Sequence, residues 1–227
     1  MIRRRPPLAE PRPISDAAPG HVPSNLVLND DPALSLRIGG DGVVLGVEPN
    51  GAPLGVRLFR PTPTRAVFVG APNCAQLIAF RAVAAGAHVV VSTGRPGTWT
   101  FLASQGIPVR PVDSTPETAT RTRPVLYVDD APPYGRPPEL PTNRWTTVLT
   151  IREVLTHREA GLIEHADLLL LQPLTPAEAD VLPPPRRIDQ PLPADALTVA
   201  SRSGVRWGRV AVTPTEHHYL GPARRAR

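Results

Sequence analysis

Apolar residues along the chain fall into short runs whose spacing alternates between that of strands and that of helices. Residues 1–24 (MIRRRPPLAEPRPISDAAPGHVPS) have no period and read as a disordered Pro- and Arg-rich arm. From residue 25 the pattern sharpens. Leu34, Leu36 and Ile38 alternate as in a half-buried strand. Within residues 43–60, two alternating runs flank Pro49-Asn50-Gly51, a hairpin signal. Residues 66–69 form a short buried strand that ends in Gly70. Ala71, Pro72, Asn73 and Cys74 follow as a tight loop, with Asn73 placed to cap a helix. Leu77, Ile78, Phe80 and Val83 continue that helix to a stop at Gly86, and residues 88–92 (HVVVS) make the next strand. Strand, helix and strand joined this tightly predict a right-handed parallel unit.

The rest of the chain repeats the alternation. Residues 96–105 suit a short helix and 108–112 a third strand. PVLYVDD, residues 124–130, is a continuous apolar run ending in two carboxylates, as a central strand would. A Pro-rich loop (131–143), a strand (146–150), one or two short helices (152–165) and a buried strand (167–171) follow. Thr175 caps a helix that begins at Pro176 and runs to Leu182. Residues 183–195 are Pro-rich, and 205–212 suit a last strand. The expectation is one α/β domain over 25–213, a three-layer sandwich with a mainly parallel sheet preceded by a β-hairpin, and then a flexible basic tail over 214–227. Ligands on such sheets sit beyond the carboxyl ends of the strands, so the loops at 70–74, 92–97 and 129–135 should converge there.

Charge and composition narrow the classes. The net charge is +5, yet Arg3, Arg4, Arg5 and Arg12 against Glu10 give +3 at one end, and Arg224, Arg225 and Arg227 give +3 at the other. The body is therefore close to neutral, without the basic face of a duplex binder. The two ends could touch anionic lipid or nucleic acid nonspecifically, and solvated termini are the simpler reading. Aromatic residues are only 4%, too few for stacking platforms on single strands. A single cysteine rules out an internal disulfide and any multi-thiolate metal site. No run approaches the roughly 18 apolar residues of a membrane span, and residues 1–25 lack the apolar core of a secretory signal. The expected compartment is the cytoplasm. All 25 basic residues are Arg, a bias typical of a very GC-rich genome such as an actinobacterium's, and no lysine is present to serve a mechanism.

The loop after Gly70 stands where α/β proteins hold phosphates, and its residues depart from the known holders. Aligned on the phosphate-loop pattern from Gly70, the second Gly is Ala75, the Lys is Gln76 and the Ser/Thr is Leu77. Nothing there neutralises terminal phosphate charge or ligates Mg²⁺, and Pro72 removes one N–H from the cradle. In the dinucleotide pattern the glycine positions are Gly70, Pro72 and Ala75. The next strand ends in Ser92, Thr93 and Arg95, where an Arg could accommodate a 2′-phosphate. An NADP- or other nucleotide-binding sensor or enzyme therefore stays open as an alternative.

The order of these features resembles the FtsK-type DNA translocases and type VII secretion ATPases. Leu45-Gly46, Gly51-x-Pro53 and Leu58 match the lead-in to that family's phosphate-loop strand, here residues 64–70. PVLYVDD looks like its Walker B strand, with Asp129 at the metal-side acid and Asp130 at the second acid. TTVLTIRE (146–153) and ADLLLLQPLTPAEADVL (166–182) are similar to the sensor strand and the terminal strand and helix. The resemblance implies a P-loop-NTPase-like fold. Because Gln76 and Leu77 replace the Lys and hydroxyl, it does not imply hydrolysis. It implies a non-catalytic interaction or assembly module, accessory to an actinobacterial type VII secretion locus. The partner would be a secretion ATPase or membrane-complex component, reached in the cytoplasm or at the inner face of the membrane.

Gly70, Pro72, Asn73, Cys74, Thr93, Arg95, Asp129 and Asp130 form the candidate pocket, with no catalytic residue and no cofactor expected, and Asp129 as the one metal candidate. Cys74 at a helix N-terminus would be an activated thiol if His88 or His165 stood near, and a buried filler otherwise. Asp129 and Asp130 could hold a metal, act as acid and base, or simply pair with Arg. His217 and His218 lack further metal ligands and read as tail residues. Trp99, Trp145 and Trp207 read as packing residues.

Overall fold

The computed structural model describes residues 42–110, 118–131, 143–183 and 191–225. The arm expected over 1–24 and the strand expected around Leu34–Ile38 lie outside them. Among the described residues ten strands form one sheet: β1 (Val43–Val47), β2 (Pro53–Val56), β3 (Thr64–Val69), β4 (His88–Thr93), β5 (Val109–Arg110), β6 (Val125–Asp130), β7 (Thr146–Arg152), β8 (Leu168–Leu171), β9 (Ala196–Ser201) and β10 (Gly204–Val210). Their order is β2-β1-β10-β9-β8-β3-β7-β6-β4-β5. Five α-helices accompany them among the described residues: α1 (Pro72–Ala84), α2 (Thr100–Ser104), α3 (Ala160–Glu164), α4 (Pro176–Ala179) and α5 (Pro214–Leu220).

The expected mainly parallel three-layer sandwich does not form, and two observations overturn it. The first is the sheet, which is mixed. From β8 to β5 the neighbours run parallel, whereas β2-β1-β10-β9-β8 is joined by four antiparallel pairings. The cause lies in a strand the periodicity did not suggest. ALTVAS, residues 196–201, follows the Pro-rich stretch and pairs with β10 across a turn too short for a parallel crossover. Strand β10 then pairs with β1, so the hairpin is the edge of the sheet and not a unit that precedes it. Backbones approach closely at that junction. A Cβ on Gly208 would lie 2.5 Å from the Val47 carbonyl oxygen, which explains the glycine.

The second observation is the helices, of which only α1 exceeds two turns among the described residues. The face carrying α1, α2 and α5 holds the larger core, built on Phe68, Leu77, Ile78, Trp99, Leu126, Leu149 and Leu170. The opposite face has a smaller cluster under α3 and α4, around Val69, Ile163, Leu169 and Leu182. Behind β4 and β6, Val90, Val125, Tyr127 and Val148 form a third, separate cluster. Helices this short do not build a continuous third layer.

Helix α1 is buried from Cys74 through Ala82, including Gln76 and Arg81. Arg81 is satisfied in full view of the core. Its Nε donates to Glu216 Oε1 and its Nη2 to Glu216 Oε2, both at 2.7 Å, and Nη1 donates to the Val44 carbonyl at 2.9 Å. Nη2 also donates to the Ala211 carbonyl. Glu216 in turn closes a capping box on α5, accepting from the Thr213 amide at 2.8 Å. Residues 214–220, expected as flexible tail, are thus a helix tied to the core by a bidentate ion pair. A second box, Thr175 with Glu178, starts α4, and its Glu178 accepts from Arg225 Nη2 at 2.6 Å. Arg225, counted from the sequence among solvated tail charges, is therefore paired.

Removing one partner of a buried pair strands the other charge, so Arg81→Met should lower the unfolding free energy by about 3–5 kcal/mol in urea denaturation. A loss below about 1 kcal/mol would mean the pair is not buried in solution.

Acid should loosen the same end of the molecule. Burial opposes ionisation of Glu178, and hydrogen bonds from Arg225, the Thr175 and Leu155 amides and the Thr175 hydroxyl outweigh it, lowering its pKa to about 2. Glu216 is shifted the same way, burial again being outweighed, here chiefly by Arg81. A carboxylate with a lowered folded pKa stabilises fully above its unfolded value and loses that stabilisation as pH falls toward the folded value. Stability should therefore decline from about pH 4.5 to pH 2, and Glu178→Gln should flatten that decline.

Candidate functional site

The carboxyl ends of the parallel strands present a row of polar residues: Gln172 after β8, Gly70 after β3, Arg152 and Glu153 at β7, Asp129 and Asp130 at β6, and Thr93 and Arg95 at β4. The eight residues expected to share one pocket divide into three settings.

The first is the loop before α1. Gly70 donates its amide to the Arg152 carbonyl at 2.9 Å. Ala71 N–H donates to Gln172 Oε1 at 2.7 Å, and Gln172 Nε2 donates to the Ala223 carbonyl at 2.7 Å. Gln172 is 1% exposed, so it is an interior clamp between the loop and the C-terminal segment. Gly70 makes room for it, since a Cβ there would lie 2.4 Å from Gln172 Oε1 and 2.8 Å from Phe68 Cζ. Asn73 does not cap the helix. Ala71 is the N-cap, with no side-chain cap, and Pro72 is the first helical residue. The Cys74 amide donates to the Ala71 carbonyl at 3.0 Å. Of the four residues 71–74, three offer an anion no free amide: Ala71 and Cys74 are bonded within the protein, and Pro72 has no N–H. The Cys74 thiol is buried, and burial pushes its pKa up to about 12 in spite of the attraction of Arg81. It is a protonated core side chain and not an activated nucleophile.

The second setting joins β4 and β6. Asp130 accepts from Thr93 Oγ1 at 2.9 Å, from Trp99 Nε1 at 2.7 Å, and from Arg95 through Nε at 3.0–3.1 Å and Nη2 at 2.7 Å. Arg95 Nη1 pairs with Glu153. Hydrogen bonds from its guanidinium to Asp130 raise the Arg95 pKa above its ordinary value, against the opposing effect of burial and with help from Glu153. The Arg expected to meet a 2′-phosphate is spent on two carboxylates. The second acid is likewise spent on an Arg, an indole and a hydroxyl.

Asp129 is the third setting. Its side chain points to the other face of the sheet and accepts from the Ala131 amide at 3.3 Å. Burial pushes its carboxyl above the ordinary range, while the Arg152 charge and bonds from the Ala131 amide and Thr150 oppose the shift. Among the described residues no group of three or more His, Cys, Asp and Glu is arranged to hold a metal ion.

Sequence reasoning missed Gln172, Glu153 and Arg225, and assigned Trp99 to packing alone. Glu178 and Glu216 carried a readable signal, the Thr-Pro-x-Glu capping pattern at 175–178 and 213–216. Gln172 carried none, because its partners are 101 residues upstream and 51 residues downstream.

No protein-family profile matches the chain, and no curated protein matches it. Among solved structures it is similar to the one described as the cytoplasmic domain of EssC, at 8% identity and a TM-score of 0.47. The overlap covers 77% of this chain and 43% of that one, so the chain spans less than half of that structure's length. It is a weak structural neighbour and carries no site-level correspondence. Among the described residues, no helix is long and apolar enough to cross a membrane.

Gly70→Ala should cost about 1–3 kcal/mol, because Gln172 is held at both ends and cannot swing clear. Gln172→Ala in the same chain should recover part of that loss, a coupling of about 0.5 kcal/mol or more in a double-mutant cycle. Strict additivity would show that the two residues do not touch.

Proposed function

We propose that the chain is a non-catalytic interaction module that resembles an inactive domain of the FtsK-type translocase and type VII secretion ATPases. It acts as an accessory that docks on a secretion ATPase or a membrane-complex component. The observation that carries this reading is the Gln172 side chain on the Ala71 amide, where a phosphate-loop protein would present N–H groups to a nucleotide. Gln76 and Leu77 at the Lys and hydroxyl positions support it, as do the buried protonated Cys74 and the paired Asp130. The same pairing of Arg95 with Asp130 and Glu153 favours a docking module over the dinucleotide-binding alternative.

Calorimetric titration of the full chain with Mg–ATP tests the reading. Heats should stay at dilution level up to about 1 mM nucleotide, and no phosphate should be released above the buffer rate. Saturable micromolar binding that shifts the Ala71 amide resonance, as displacement of Gln172 would, would replace the docking module with a nucleotide sensor.

A further inference from the structure

Three neighbouring parallel strands end with polar side chains on one face. Register sets Ser92 of β4 beside Asp129 of β6, and Asp129 beside Thr150 of β7. Arg152, two residues beyond Thr150, lies on the same face. This face is turned away from α1. Val90, Tyr127 and Val148, two residues before Ser92, Asp129 and Thr150, form a cluster apart from the α1 core. Thr93 and Asp130, one residue further on, turn instead toward Trp99 in that core.

Ser92, Asp129 and Thr150 are each 4% exposed. Ser92 Oγ and Arg152 Nε are both buried, and neither has a hydrogen-bond partner among the described residues. Arg152 Nη1 is anchored on the Ile151 carbonyl at 2.7 Å and on the Ala131 carbonyl at 3.4 Å, which fixes the guanidinium beside Asp129. Buried donors in native proteins are almost always satisfied, so two orphans around one carboxyl are the mark of a ligand's seat.

We infer that Ser92, Asp129 and Arg152 form a binding site for a hydrogen phosphate group, on the sheet face opposite the loop at Gly70. The Ser92 hydroxyl and the Arg152 Nε–H donate to two phosphate oxygens, and Asp129 shares the proton carried by a third. Two donors and one carboxyl suit this chemistry better than a carboxylate or sulfate, neither of which keeps a proton near pH 6. Inorganic phosphate keeps one there, and a phosphomonoester, whose second pKa is about 6, keeps one in part. The upward shift of the Asp129 carboxyl by burial helps retain the shared proton. The site uses different residues from the closed loop, so it stands or falls independently of the docking module.

The full chain should be titrated by calorimetry near pH 6 with inorganic phosphate, glycerol 3-phosphate and sulfate in turn. Saturable phosphate binding is expected, with sulfate roughly tenfold weaker or worse. Ser92→Ala and Arg152→Gln should each weaken phosphate by about tenfold, and Asp129→Asn should erase the preference over sulfate. Tighter inorganic phosphate would identify the free ion as the ligand, and tighter glycerol 3-phosphate a phosphorylated metabolite. No saturation below about 10 mM with either probe, equal affinity for sulfate, or unchanged binding in a folded Ser92→Ala protein would each overturn the site.

Discussion

The buried guanidinium of Arg81 ties three parts of the chain that are far apart in sequence. It sits in α1 and reaches the hairpin strand β1 through Val44, the link after β10 through Ala211, and α5 through Glu216. A cation placed there with any bond missing would be costly to bury, so the antiparallel half of the sheet and α5 must both be in place for the α1 core to close. Charge thus couples the parallel half of the molecule to the antiparallel half. Without the pair, α5 would have only its short apolar face to hold it.

The closed loop at Gly70 follows from that arrangement. With α5 held against α1, the chain after Leu220 runs past the N-terminus of α1, and the Ala223 carbonyl comes within reach of Gln172. Arg225 then continues to Glu178, itself the cap of α4. The end of the sheet where a nucleotide would be held in related topologies is therefore filled by an internal network of one Gln, one carbonyl and one Arg–Glu pair. A nucleotide would have to displace Gln172 from two good hydrogen bonds.

Much of the parallel half was legible. The runs before Gly70, at HVVVS, at PVLYVDD and at DLLLL became β3, β4, β6 and β8, because a strand buried on both faces leaves a continuous apolar signature. The helix beginning near Pro72 and stopped at Gly86 was legible for the same reason, although its cap was not: Ala71 has no polar side chain to announce the role. In the antiparallel half the hairpin of β1 and β2 and the last strand β10 were legible, whereas β9 and the pairings that join them into one sheet were not. ALTVAS is short and follows a Pro-rich stretch, so it gave no strand signal. At the site, Asp129 and Asp130 were read as members of one pocket, the first as metal-side acid and the second as its companion. Strand alternation sends them to opposite faces, one to Trp99 and Arg95, the other toward Ser92 and Arg152. The helix at 214–220 was hidden by the Arg-rich residues after it, yet its Thr-Pro-Thr-Glu start is the same signature that was recognised at Thr175.

The most direct test of the closed loop is the hydrogen-exchange rate of the Ala71 amide, followed by NMR with and without Mg–ATP. Bound to a buried Gln172, that amide should exchange with the protection of core strand amides, and Mg–ATP should leave both its rate and its chemical shift unchanged. Exchange at the rate of an exposed loop, or a shift on adding Mg–ATP, would contradict the closure and return the loop to the set of nucleotide-binding sites.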